Sequence, residues 1–124
     1  MTLVDALIHV ESNGNDHAIG DKTLQYSAYG PLQIRWPCVS DVNDFYGTNY
    51  KAKMCLGNRA LSIEIFNKYT ALYATKERLG REPTDEDIAR LWNGGIGGMV
   101  WRPHPIARVE KQLQDYWGKV KLLL

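Results

Sequence analysis

Two carboxylates, Glu11 and Asp21, stand at either side of a polar, glycine-interrupted passage in the stretch VESNGNDHAIGDKTLQYSAYGPLQI, Val10 to Ile34. Paired carboxylates are the working groups of glycoside cleavage, in which one protonates the leaving oxygen and the other activates water or supports the cationic sugar. Glu11 falls near the end of an apolar-periodic segment. The negative end of a helix dipole disfavours ionisation there, and a half-buried site keeps a carboxyl protonated for acid work. The same letters also describe a solvated glutamate in the last turn of an ordinary helix. Asp21 reads equally as a second catalytic carboxylate or as a turn aspartate bonded to its own backbone. Asp16 is a weaker second candidate. His9, His17 and His104 lack metal-ligand spacing and read as structural or surface residues, so no metal or other cofactor is expected.

The elements that must position these groups follow from pattern. Thr2 caps a helix from Leu3 to about Asn13, with Asp5 as the returning acid of a capping box and Leu3, Leu7 and Val10 facing the core. Gly14 suits the left-handed position after it. Asp16 to Ser27 is a polar loop with a short hairpin turning at Asp21-Lys22. Gly30 to Ile34 is predicted as a strand or extended turn. If Leu32 and Ile34 face the core there, Gln33 faces the other way. A helix opens at Trp36-Pro37 and stops at Gly47, and Asn49 to Leu56 is a short helix or irregular turn. The longest helix is expected from Arg59 to Leu79, capped by Asn58, with an apolar stripe wide enough for a central position. Thr84, followed by three acids, starts another helix that ends at Asn93-Gly94-Gly95. A Gly-rich loop follows to His104, and Pro105 opens the last helix.

Composition bounds the class. The chain of 124 residues, 44% hydrophobic and 23% charged, is sized and composed for one globular domain, residues 1–124. A net charge of +1 gives no reason for a nucleic-acid partner and predicts little steering toward an anionic wall. No apolar run approaches the roughly 20 residues of a membrane span. The first residues show no basic region or cleavage site. That pattern suits a phage-encoded chain released through a holin, or a mature form acting at the wall in the periplasm or outside the cell. Cys38 and Cys55 are too few for a disulfide framework and are read as buried free thiols, although pairing stays open.

Beyond pattern, the chain resembles the lysozyme-like superfamily. Glu11-Ser12 followed by Tyr29-Gly30-Pro31-Leu32-Gln33-Ile34 is similar to the E-S and G-L-M-Q-I of soluble lytic transglycosylase domains and to the G-P-F-Q-I of invertebrate-type lysozymes. Ala89-Arg90-Leu91-Trp92-Asn93-Gly94-Gly95 resembles the A-R-x-x-N-G-G of those lysozymes and the Y-N-A-G of the transglycosylases. Tyr116-Trp117-Gly118-Lys119-Val120 is similar to the lysozymes' Y-W-x-K-V. Pro31-Leu32 departs from the transglycosylase pattern.

The resemblance implies a mostly α (α+β) lysozyme-like fold with a long central helix and a small β-hairpin. It also implies a monomer that cuts the β-1,4 bond between N-acetylmuramic acid and N-acetylglucosamine in peptidoglycan. Glu11 would be the general acid and Asp21 the second carboxylate of a hydrolase, with Ser12, Tyr29, Gln33, Trp92 and Asn93 on the substrate side. A lytic transglycosylase would use Glu11 alone, as acid and then base, and leave 1,6-anhydro ends. A chitinase-like hydrolase and a non-catalytic glycan-binding module remain alternatives.

Overall fold

The computed structural model describes residues 1–124 and is mostly helical with one small antiparallel sheet. The elements run α1 (Leu3–Ser12), β1 (Ile19–Gly20), β2 (Ala28–Tyr29), α2 (Trp36–Tyr46), a 3-10 helix (Ala52–Cys55), α3 (Arg59–Tyr73), α4 (Lys76–Leu79), α5 (Asp85–Val100) and α6 (Ala107–Lys121). They form two compact units. An inner unit holds Ile8–Tyr69, and a terminal unit holds Met1–Leu7 with Thr70–Leu124. No helix is long and apolar enough to cross a membrane.

In the inner unit, Asn13 and Gly14 both take left-handed φ and end α1. β1 pairs with β2 in the register Ile19 to Tyr29 and Gly20 to Ala28, a short hairpin whose second strand lies beyond the Asp16–Ser27 loop in which it was expected. Arg35 precedes α2 in extended geometry, and Gly47 ends that helix in the left-handed region, as expected. Asn58 caps α3 through its side-chain oxygen, which accepts from the Leu61 amide at 3.0 Å. Val39 and Val42 of α2 and Ile65 and Phe66 of α3 are buried.

Three expected boundaries change. The helix from Arg59 stops at Tyr73, because Thr75 adopts extended geometry and its hydroxyl accepts from the Arg78 amide, starting the separate α4. A β-branched residue able to bond the backbone favours a cap over continuation. At 15 residues α3 then equals α6, and these two are the longest uninterrupted helices. The expected loop after Asn93 is also mostly helical: α5 kinks at Gly95 (φ 72°, ψ −169°) and continues to Val100. Its glycines serve packing more than looping. A Cβ on Gly94 would stand 2.6 Å from the Leu113 side chain, and one on Gly98 would stand 2.9 Å from the Arg90 carbonyl. Finally, α6 starts at Ala107, not at Pro105.

The terminal unit is held by two buried ionic clusters. Thr84 and Asp87 form a reciprocal capping box at the start of α5, in which the carboxylate accepts from the Thr84 amide and the hydroxyl accepts from the Asp87 amide. Asp87 is fully buried and also receives Arg81 at 2.6 and 2.9 Å and Arg102 at 2.7 Å. Burial pushes its carboxyl up, but the Arg81 bonds and the Thr84 amide and hydroxyl outweigh that and hold it well below the usual range.

In the second cluster, Arg90 meets both oxygens of Glu110, at 3.0 and 2.5 Å, and donates further to the carbonyls of Gly98 and Trp101. Those arginine bonds lower the Glu110 carboxyl to about 2 against the opposing effect of burial. Both carboxyls are depressed, so their stabilisation is fully present above the ordinary carboxylate range near pH ~4 and is lost as pH falls toward about 2. Glu110→Gln, which strands the guanidinium, should cost ~3–5 kcal/mol in urea unfolding at pH 7. It should also flatten the acid limb of stability against pH. An unchanged midpoint and acid limb would show that the pair carries no net weight.

Candidate functional site

The candidate residues fall in both units, and each group has its own local scaffold. In the inner unit, Glu11 lies half-buried in the last turn of α1. Ser12 beside it donates its hydroxyl to the Pro31 carbonyl at 2.8 Å, with the Ile8 carbonyl at 3.1 Å. The end of the acid-bearing helix is thereby tied to the turn that follows β2.

That turn is tightly built. Tyr29 and Ile34 exchange both backbone hydrogen bonds, at 2.9 and 3.0 Å, and the Gln33 amide closes back on the Gly30 carbonyl at 3.1 Å. Gly30 (φ +79°) donates to the Ala18 carbonyl and lies so close to the 3-10 helix that a Cβ would stand 2.4 Å from the Cys55 carbonyl. Gln33 is itself left-handed, with φ 54°, so the alternation of a strand does not set its direction. Its side-chain amide donates to the Ala18 and Gly30 carbonyls at 3.2 and 3.0 Å. Its oxygen lies where a Cβ on Gly20 would be. Gln33 thus braces the turn onto the hairpin, a role that the sequence reading did not foresee.

Asp21 follows β1 directly, with φ 55°, and its carbonyl accepts from the Leu24 amide, which is the turn role weighed for it. Its half-exposed carboxylate faces Arg35 at 3.8 Å, and Arg35 also donates to the Tyr26 carbonyl. Asp16 is bound by Arg59 at 2.7 Å, and the same guanidinium holds the Gly14 carbonyl at 2.8 Å. An arginine thus meets the acid on either side of β1, Asp16 before it and Asp21 after it.

In the terminal unit, Trp92 and Asn93 lie half-buried on α5 just before its kink. The Asn93 side-chain oxygen accepts from Gln112 of α6 at 3.2 Å, which leaves the Asn93 amide as the donor for any ligand. The histidines serve locally. His104 donates its backbone amide to Glu110 and accepts from the Ile106 amide, while His17 packs against Gly57.

No cluster of His, Cys, Asp and Glu side chains is arranged to hold a metal ion. Cys38 and Cys55 are free thiols. Burial raises both, and Cys38 well above its ordinary range with Cys55 and Asp41 adding to the effect. No protein-family model and no curated protein matches the chain.

The turn offers a direct test of the scaffold. Gly30→Ala forces a left-handed φ on alanine and a contact with the backbone at Cys55. It should therefore destabilise the chain by more than ~2 kcal/mol, measured by urea unfolding. A cost below that of an ordinary surface substitution would show that the turn relaxes freely.

Proposed function

We propose that the chain is a peptidoglycan-cleaving glycosidase of the lysozyme-like kind, with Glu11 as the general acid at the β-1,4 bond between N-acetylmuramic acid and N-acetylglucosamine. The observation that carries this reading is the placement of Glu11. It is half-buried in the last turn of α1, and Ser12 ties that helix end to the Gly30–Ile34 turn. Proton transfer in a transition state needs a carboxyl held at a fixed point, and a tied helix end supplies that better than a loop does. The resemblance in Glu11-Ser12, Gly30-Pro31-Leu32-Gln33-Ile34 and Asn93-Gly94-Gly95 supplies the substrate class. Tyr29, Trp92 and Asn93 are assigned to sugar contact, and Gln33 to holding the turn from which such contact is made.

The ion pair of Asp21 with Arg35 favours a second reading of the product. A hydrolase that uses Asp21 has first to part it from Arg35, 3.8 Å away, whereas a lytic transglycosylase has no need of it. In a lytic transglycosylase Glu11 gives the proton to the leaving oxygen. It then takes the proton of the muramic 6-hydroxyl, which closes onto the anomeric carbon and leaves a 1,6-anhydro end. In a hydrolase Asp21 would have to leave Arg35 to orient water or support the oxocarbenium ion.

Replacing Glu11 with Gln should lower wall lysis by at least ~10²-fold in a folded protein; near-normal lysis would remove the assignment. Mass spectrometry of the muropeptides, compared between the native chain and Asp21→Asn, separates the two products. Reducing ends lost in the variant mark a hydrolase that uses Asp21. Anhydro ends released equally by both proteins mark Glu11 acting alone.

A further inference from the structure

The inner unit holds two thiols, Cys38 in the first turn of α2 and Cys55 at the end of the 3-10 helix, and the chemistry proposed for Glu11 uses neither. Two ties place them. At one end the Asn43 side chain clamps the chain that returns to it. Its nitrogen donates to the Tyr50 carbonyl at 2.9 Å, and its oxygen accepts from the Tyr50 amide at 2.9 Å and the Thr48 hydroxyl at 2.8 Å. At the other end Cys55 packs on Gly30, where a Cβ would stand 3.4 Å from the Cys55 Cβ. That contact lies on the turn whose last residue, Ile34, leads through Arg35 into α2.

The segment from Tyr50 to Cys55 is therefore held at both ends of α2's first turns and runs back along them. Cys38 lies five residues before Asn43, and Cys55 five residues after Tyr50. Five residues of α-helix advance about 7.5 Å and five of 3-10 helix about 10 Å, so the two thiols return to the same level. Their electrostatics agree. Burial is the main cause that raises the Cys38 thiol, and the Cys55 thiol is the next.

We propose that Cys38 and Cys55 are a redox pair, joined under disulfide-donating conditions by a covalent bridge that locks the 3-10 helix to α2 and so fixes the surface on which Gly30 packs. The co-reactant is a small-molecule disulfide such as oxidised glutathione. Cys38 is half-buried and Cys55 fully buried, which sets the order of events. The Cys38 thiol loses its proton and attacks one donor sulfur, which breaks the donor S–S bond. The released donor thiolate takes up that proton. The Cys55 thiol then loses its proton and attacks the Cys38 sulfur of the mixed disulfide, and the second donor thiolate leaves and is protonated. Two protein thiols are oxidised by two electrons, and one donor disulfide is reduced to two thiols. Because buried thiols ionise reluctantly, the exchange is slow in the folded chain and faster during refolding. The inference is independent of the proposed glycosidase function.

The test takes the full reduced chain and equilibrates it with a glutathione redox buffer, both folded and during refolding from urea. Alkylation in denaturant and intact mass spectrometry then count the thiols. The expected product is a monomer two hydrogens lighter with no alkylatable thiol, and proteolysis yields a peptide pair joining Cys38 to Cys55. The bridge closes a loop of about 17 residues, so the oxidised chain should melt about 5–15 °C above the reduced one. The Gly30 amide, which donates to the Ala18 carbonyl, should exchange its hydrogen severalfold more slowly.

Cys38→Ser, at the less buried position, should fold, form no bridge and melt at one temperature with or without the donor. Cys55→Ala should stop the exchange at a glutathione adduct on Cys38, and where loss of that buried side chain unfolds the protein, Cys38→Ser decides. Two alkylatable thiols after refolding with the donor would overturn the inference. So would a Cys38 adduct that Cys55 never resolves, or disulfide-linked dimers as the main product. An oxidised monomer that melts at or below the reduced one, or that leaves Gly30 exchange unchanged, would overturn the lock.

Discussion

The terminal unit depends on one guanidinium. Arg90 is buried on α5, and its donors reach Glu110 of α6 and the carbonyls of Gly98 and Trp101. Taking that charge out of water is expensive, and the attraction of Glu110 offsets the cost only when nearly every donor and lone pair is used. They are used: the second partners of Glu110 are the His104 amide and the Gln114 side chain. The consequence is geometric. One side chain fixes the separation of α5 and α6 and the path of the chain between them. Asn93, one turn beyond Arg90 on the same helix, inherits its position from that constraint. Asp87, with Arg81 and Arg102, repeats the device at the other end of the same connection, so the segment after Val100 is held from both sides.

In the inner unit the equivalent constraint is made by backbone. The Gly30–Ile34 turn closes on itself, on Ala18 and against Cys55, and Ser12 joins it to the end of α1. Gln33 spends its amide on two carbonyls of this arrangement. A glutamine that satisfies the backbone of a turn can be indispensable to a site without touching what the site binds. The hydrogen bonds of Gln33 and Ser12 together keep the half-buried Glu11 and the turn in a fixed relation, the property that acid catalysis requires.

Much of this was legible in the chain. Gly47 after Tyr46, Asn58 before Arg59 and Thr84 before three acids are local signals, and each helix end they mark is where it was expected, because capping is decided within one turn of chain. The turn at Asp21 was legible for the same reason, although the strand that pairs with β1 is Ala28–Tyr29, beyond the loop in which it was expected. What was not legible depended on partners distant in sequence. The glycines from Gly94 to Gly98 read as a loop, since nothing local reveals that Leu113 needs the space beside Gly94 and the Arg90 carbonyl the space beside Gly98. Thr75 interrupts an otherwise uniform helical stripe through one hydroxyl. Leu32 and Ile34 are buried as the alternation expected, with Gln33 less so, but the left-handed φ at Gln33 makes this the pattern of a turn and not of a strand's period of two. Arg90 carried a signal that was passed over: an arginine between Ala89 and Leu91, one turn after Asp87, on the face that α5 buries.

Sorting the carboxylates by partner sharpens the chemistry. Asp16 faces Arg59, Asp21 faces Arg35, Asp87 faces two arginines and Glu110 faces Arg90. Asp87 and Glu110, whose carboxyls the arginine bonds hold well below the usual range, belong to the scaffold, whereas the half-exposed pair of Asp21 with Arg35, at 3.8 Å, is easily parted. Under the proposed function, a hydrolytic mechanism would have to separate Asp21 from Arg35, and an exposed ion pair of this kind is worth at most ~1 kcal/mol. In the proposed glycosidase, that pairing is a small obstacle to a second working carboxylate. The choice there between water and the sugar's own hydroxyl as the attacking group would fall to how well the site excludes water, a property of loops more than of the helix that carries Glu11.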